Sequence, residues 1–540
     1  MKDRKVYERR IKALQDKAEP YLTTWKDIKT YINPLRGSFG EERQDGKTIN
    51  HKIMLNNHPR QCARVLGSGM TGGMTTEANP WFKMGMDDLD LMEFESVRLW
   101  LDALQAMMSS VFSRSNIYSV LGQVYEETGS FGSGAVMILD DPMTIIRGRS
   151  FTAGEYWIGR DSSGKPNAFG RRYWMTIGQL IETFGIENLS PLAKAAYETK
   201  KDIDKWIAVI HLIEENDERV PDKSNFENMP YRSIQWEEGS PEENILRVGG
   251  YEEFPVLAPR WQSIISSSPY GNGPGEDALG NAKMLQKMVR KKLLGLDKMV
   301  DPPIQKDGLV IGQVNTLPGG ITSMSASVPN AGVRPTYQVN LNFGDIDNSI
   351  KTVEDSISKT FYMDLFLMLL NMDRKQVTAY EIAKKIQEKE FLLGSVLQSF
   401  EDELLDPLID RTFMIALRHG IVPEIPPEVR GHNIKTEYIS ILAQARKMIG
   451  TAGVEQVCSF AANLSQVKAD VIDKIDYDEA LNIYSRMVGT PEKLLSSDEF
   501  VKSIRLAREE ARKAEQGIVE AQAAVQGVKD LAGIQAGAGA

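Results

Sequence analysis

Ser268-Pro-Tyr-Gly-Asn-Gly-Pro-Gly275 runs into Glu276-Asp-Ala-Leu-Gly-Asn-Ala-Lys-Met-Leu-Gln-Lys-Met-Val-Arg-Lys-Lys-Leu-Leu-Gly-Leu-Asp-Lys-Met-Val300, and Asp301-Pro-Pro303 closes the stretch. Proline and glycine on the near side make a turn, and a Pro-Pro pair on the far side cannot continue a helix. What lies between reads as one helix. At about 100° per residue, Ala278, Ala282, Leu285, Val289, Leu293, Leu296 and Val300 share a face, and Lys283, Lys287, Arg290, Lys291 and Lys298 take the opposite one. The charge balance reverses at the same place: residues 201–280 hold 16 Asp/Glu against 7 Lys/Arg, whereas 281–300 hold 6 Lys/Arg against Asp297 alone. One side wants a neighbour; the other wants water or a polyanion.

Outward from this helix, the chain of 540 residues has the length of roughly three or four domains. Its 42% hydrophobic and 26% charged content is ordinary for a folded soluble protein. A formal charge of −10 excludes a uniformly basic DNA coat. It does not exclude DNA as a partner, since a protein that lets DNA slide avoids a dense set of phosphate contacts. Cys62 and Cys458 cannot make a disulfide framework and suit a reducing compartment. The charged N-terminus is followed by no apolar core of a signal peptide, and the apolar run Leu365 to Leu370 is far too short for a membrane span.

Residues 1–33 read as helix, ended by Asn33-Pro34, with further helices over about 59–70 and 95–113. Residues 135–260 are strand-rich, with short β-type runs at 135–139, 207–212 and 245–248. Beyond the basic helix, 308–328 reads as two short strands around Asn315 to Gly320. Residues 345–363 carry the stripe Ile346, Ile350, Val353, Ile357 and Phe361. The polar segment 371–377 precedes Thr378-Ala-Tyr-Glu381, a capping box opening a long helix that Pro407 should kink and that should end at Arg418-His419-Gly420. Residues 436–516 read as helical, and the tail drifts into Ala, Gly and Gln.

Gly67-Ser-Gly-Met-Thr-Gly-Gly73 has glycines that could cradle phosphate. It lacks the Gly-Lys-Ser/Thr ending and a preceding strand, so it reads as a helix-ending loop. His58 and Cys62, at i and i+4, lack a positioned third partner for nucleophilic chemistry. The five histidines and two cysteines show no zinc spacing. No catalytic residue, metal ligand or cofactor site is assigned, and the chain is not read as an enzyme. The fold class is α+β and helix-rich.

The order of helix, small strand insertion, second helix, polar loop and long kinked helix resembles the portal, or head-to-tail connector, proteins of short-tailed bacteriophages. Trp25-Lys-Asp-Ile-Lys-Thr-Tyr-Ile-Asn-Pro34, Leu66-Gly-Ser-Gly-Met70, Asn79-Pro-Trp-Phe82, Ser115-Asn-Ile-Tyr118, Thr128-Gly-Ser-Phe-Gly-Ser-Gly134, Ser268 to Pro274, Asp301-Pro-Pro303, Thr378 to Glu381 and Glu403-Leu-Leu-Asp-Pro-Leu-Ile409 carry the likeness. The resemblance implies a wing (1–267), first stem helix (268–300), clip (301–344), second stem helix (345–363), tunnel-loop region (364–377), long wing helix and linker (378–429), helical crown (430–490) and a C-terminal extension (491–540). It implies a dodecameric ring around double-stranded DNA at one capsid vertex. Its partners would be the terminase large subunit, major capsid and scaffolding proteins, and tail adaptors. No membrane is implied.

Arg374 and Lys375 would face the DNA channel, in competition with Lys283, Lys287, Arg290 and Lys291. The apolar residues Leu285, Val289, Leu293, Ile350, Val353 and Ile357 would pack between subunits, because a slender stem offers them no other burial. Asn315, Leu317 and Pro318 would dock other proteins at the clip. Two other readings stay open on sequence alone: another oligomeric phage structural protein, such as a tail adaptor or internal core protein, and an α/β enzyme with an unrecognised site.

Overall fold

Asp3 caps the first helix, α1 (Arg4–Tyr31), by accepting a hydrogen bond from the Lys5 amide. Tyr7, Ile11, Leu14, Trp25 and Ile28 along it are buried at helical spacing. The computed structural model describes residues 3–40, 52–88, 90–220, 225–263, 265, 268–306, 313–315, 321, 333–337, 342–370, 393–440, 442–443, 457–464, 474–481 and 500–513. They fall into two units, Met1–Arg446 and Lys447–Ala540, where length alone suggests three or four.

Helix α2 (His58–Met74) contains Gly67-Ser-Gly-Met-Thr-Gly-Gly73 entirely, so these glycines do not end the helix as the sequence suggests. They let other elements come close. A Cβ on Gly67 would lie 2.9 Å from Glu126 Cβ, and one on Gly69 would collide with the Phe366 ring. Strand β1 (Phe82–Met86), α3 (Glu95–Arg114) and α4 (Ile117–Phe131) follow, and in α4 Gly129 leaves room for Leu66 of α2. A mid-helix glycine costs about 1 kcal/mol of propensity. Close packing of α2 and α4 offsets it.

Strands β2 (Ala135–Asp141) and β3 (Ile145–Phe151) form a hairpin. Next come β4 (Tyr156–Arg160), β5 (Pro166–Thr176), α5 (Ile177–Phe184), α6 (Pro191–Lys200), β6 (Trp206–Glu215), β7 (Tyr231–Glu237), β8 (Arg247–Tyr251) and β9 (Val256–Leu257). Strands β4 to β8 make an antiparallel five-stranded meander, and β9 joins the hairpin on β2. Ile11 of α1 fills the space over Gly170 on one face of the meander. On the other face Arg171, His211, Gln235 and Arg247 stand in register across β5 to β8.

Helix α7 (Pro274–Val300), the short pair β10 (Ile304–Lys306) and β11 (Val333–Pro335), α8 (Phe343–Thr360) and α9 (Met363–Leu370) come next. Residues 393–400 are helical and continue through a π turn, Glu401–Leu405, into α10 (Asp406–Arg418). The wider turn sits immediately before Pro407, whose missing amide is the reason the sequence predicts a kink there. Gly420, at φ +69°, lies just beyond the helix end. Strand β12 (Ile434–Tyr438) pairs antiparallel with β1, Phe82 opposite Tyr438. This corrects the helical reading at 436–438 only: Ile434, Thr436 and Tyr438 are half-buried while Lys435 and Glu437 are exposed, a period of two. In the second unit residues 457–464, 477–481 and 500–513 are helical, and Arg505 pairs with Asp478 at 2.7 Å.

Candidate assembly and nucleic-acid interface

The glycine turn before α7 is moulded against the end of α4. Gly132, at φ +78°, lies against the Gly271 carbonyl, and a Cβ on Gly275 would strike the Ser130 carbonyl. Gly271 donates its amide to Ser133 Oγ at 2.8 Å. Tyr270 is buried edge-on to Trp25, ring centroids 4.9 Å apart, and its hydroxyl accepts from the Ile158 amide. Pro274 then occupies the first helical turn, where a missing amide costs nothing, and Glu276 and Asp277 complement the positive helix end.

α8 starts on Asn342, whose side chain accepts from the Gly344 amide. It runs antiparallel to α7. Asn281 bonds Ser356 at 3.0 Å near one end, and Lys292 is paired with Asp347 near the other. Gln286, buried in α7, accepts from the amides of Leu55 and Asn56 and donates to the Asn56 carbonyl. Asn56 in turn donates to Glu354 of α8.

This arrangement divides the apolar candidates. Leu285 and Ile357 are fully buried, and Ile350 and Val353 nearly so, all in the core of this same chain; Val289 is half-buried. Their burial therefore needs no neighbouring copy, because α1 and α4 pack on α7, α2 packs on α8, and the two helices pack on each other. Past Val289 the same α7 face emerges: Leu293 is 46% exposed and Val300 76%. α8 begins only at Phe343, so it does not extend along the last turns of α7.

The basic candidates divide as well. Lys283 is bound to Asp27 at 2.6 Å and lies over the Tyr31 ring, and Arg290 donates to the Lys52 carbonyl. Lys287 and Lys291, one turn apart, are exposed and have no hydrogen-bonding or ionic partner among the described residues. Asn315 is exposed. Leu317, Pro318, Arg374, Lys375 and the Thr378 capping box lie outside the described residues.

His58 does find a third group: its Nε2 lies 2.8 Å from Ser358 Oγ and 3.5 Å from Cys62 Sγ. Burial pushes the Cys62 thiol up to about 11, which keeps it protonated, so the trio ties α2 to α8. Sequence reasoning did not find Glu403, although it stands in one of the quoted motifs. From the π turn it accepts from the Arg260 amide at 2.9 Å and Nε at 3.0 Å, and it lies 3.6 Å from Arg160. Arg260 also donates to the Ser268 carbonyl, so the π turn anchors the segment that leads into α7. No group of His, Cys, Asp and Glu among the described residues could hold a metal ion, and no described helix is long and apolar enough to cross a membrane.

A helix-rich α+β chain whose antiparallel helix pair is anchored at one end and uncovered at the other defines the class of architecture. The sequence model described as "Bacteriophage head to tail connecting protein" matches residues 4–495. The chain is 34% identical over 529 residues to the portal protein of Salmonella phage epsilon15, covering 98% of this chain and 95% of that one. It is 34% identical over 515 residues to the probable portal protein of Bordetella phage BPP-1, covering 95% and 92%. The chain belongs to the bacteriophage head-to-tail connecting protein family, and the resemblance drawn from its motifs is correct.

Proposed function

We propose that copies of this chain form a dodecameric ring at one capsid vertex, through which a terminase large subunit packages double-stranded DNA and through which the genome later leaves. Major capsid and scaffolding proteins would bind the ring from the head side, and tail adaptors the clip. The observation that carries the ring is the α7 face, continuous from Ala278 to Val300, buried in its first half and exposed in its second. Exposed leucines on a helix of fixed direction favour burial against a second copy, at about 25 cal/mol per Å² of apolar area.

Wing, stem, clip and crown follow the boundaries read from the sequence with one change. Ile434–Tyr438 pairs with Phe82–Met86, so it goes with the wing, and the crown starts later than residue 430. The chain would act by position rather than by catalysis. An acidic or neutral bore repels the duplex from all sides, and a few basic rings, Arg374 and Lys375 first, guide it weakly. Electron microscopy of the purified protein tests this: rings with an open channel are expected, and a protein that stays monomeric at every concentration and salt tried would overturn it.

A further inference from the structure

Five antiparallel strands bring an unusual set of side chains to one face. Arg171 on β5, His211 on β6, Gln235 on β7 and Arg247 on β8 stand in register. Arg171 is only 6% exposed, yet one terminal nitrogen of its guanidinium has no hydrogen-bond partner. Its Nε donates to His211 Nδ1 at 3.2 Å, which puts the imidazole proton on Nε2, where it is donated to Ser233 Oγ at 2.9 Å. The guanidinium carbon lies 4.1 Å from the Tyr173 ring centroid and 5.3 Å from that of Phe151. Arg149, arriving from β3 of the other sheet, sits 5.9 Å from the same ring.

None of Arg149, Arg171 and Arg247 forms an ion pair with a carboxylate among the described residues. The other buried arginines differ from Arg171: Arg260 has Glu403, Arg411 has Glu253, Arg232 has Glu218 and Arg4 has Glu8. Burying a guanidinium with an idle N–H is costly unless something accepts it. Between Arg247 and Tyr251 the face is also open, since a Cβ on Gly249 would meet nothing within 4 Å. A buried cation with an idle N–H, two exposed cations on the elements around it and open space over Gly249 suit a compact anion.

We propose that Arg171, Arg149 and Arg247 form a binding site for a small oxyanion of the phosphate class between the two sheets. The planar fork of Arg171 supplies the inner donor, and the two exposed arginines close over the remaining oxygens. The site is separate from α7 and does not depend on the ring assignment. A carboxylate or phosphate would also settle the field that holds His211 neutral. Duplex DNA is a poor fit, because the inner guanidinium lies beneath the surface and a backbone phosphate cannot leave its helix to reach it.

Orthophosphate is the probe, titrated calorimetrically into the full-length protein, with thermal unfolding followed at constant ionic strength. Saturable binding of one phosphate per chain is expected, with a rise in Tm that an equal ionic strength of chloride does not reproduce. The double variant R149Q/R247Q changes only exposed side chains, so it should fold normally; it should lose about tenfold or more in phosphate affinity. R171K, which keeps the charge and removes the fork, should lose affinity too. Equal phosphate binding by wild type and R149Q/R247Q overturns the site. So does a response that chloride matches, or displacement of phosphate by a short DNA duplex at equal phosphate concentration.

Discussion

At the scale of single residues, buried charge decides most. Glu403 compensates Arg260 and Arg160 at once and caps a backbone amide. Removing one partner leaves buried cations uncompensated, so Glu403→Ala should cost about 3–5 kcal/mol. Urea unfolding checks this, and Glu403→Gln, which retains an acceptor, should cost less. His211 makes a prediction in pH. Burial first, then Arg171, Arg149 and Arg247, hold it well below its usual 6.5. The unfolded chain therefore takes up a proton near pH 6.5 that the folded chain refuses. The stability His211 contributes is complete above that pH and falls by about 1.4 kcal/mol per unit below it. Unfolding midpoints between pH 6.5 and 5.5 should fall more steeply for wild type than for His211→Gln. Identical slopes would mean that His211 titrates normally.

At the scale of elements, the helix pair α7 and α8 lets the fold and the proposed assembly be tested apart. Leu285→Asp with Val353→Asp places two carboxylates in the chain's own core, and loss of the fold is expected, visible as lost helical circular dichroism. Leu293→Asp with Val300→Asp changes only the uncovered stretch. Circular dichroism should then stay native while sedimentation shows monomers or partial rings. Intact rings from that second pair would move the subunit contact elsewhere. Much of this was legible in sequence: Pro274 and Asp301-Pro-Pro303 fix the bounds of α7, and the stripe of α8 fixes its buried face. What was illegible depended on distant partners. Gly67 and Gly69 are helical because α4 and Phe366 approach them, and nothing local says so. Ile434–Tyr438 is a strand because Phe82–Met86, some 350 residues earlier, pairs with it. The distinction between Lys283 and Lys287 rests on Asp27, also far away in sequence.

At the scale of the whole molecule, the question is how a chain of net charge −10 would handle the duplex that the proposed ring carries. In a ring each basic side chain is repeated by every copy, so weak single contacts add, while the acidic remainder keeps the duplex from adhering. Three pairs of cations can be set against one another. Lys283 and Arg290 are spent on Asp27 and the Lys52 carbonyl, so neutralising them should lower stability more than it alters DNA handling. Lys287 and Lys291 are open, on the outward side of α7 relative to its buried face. Arg374 and Lys375, in the segment that resembles a tunnel loop, are the stronger choice for the channel, because a short polar segment can reach into a bore without disturbing a packed face. R374Q/K375Q should form normal rings and dock the motor, yet package or retain less DNA, with the deficit shrinking as salt rises and screens the same contacts in the wild type. K287Q/K291Q should do the same more weakly. A packaging assay with the reverse ranking would put the lysines of α7 in the channel wall, and would turn the helix pair by half a revolution relative to the ring axis.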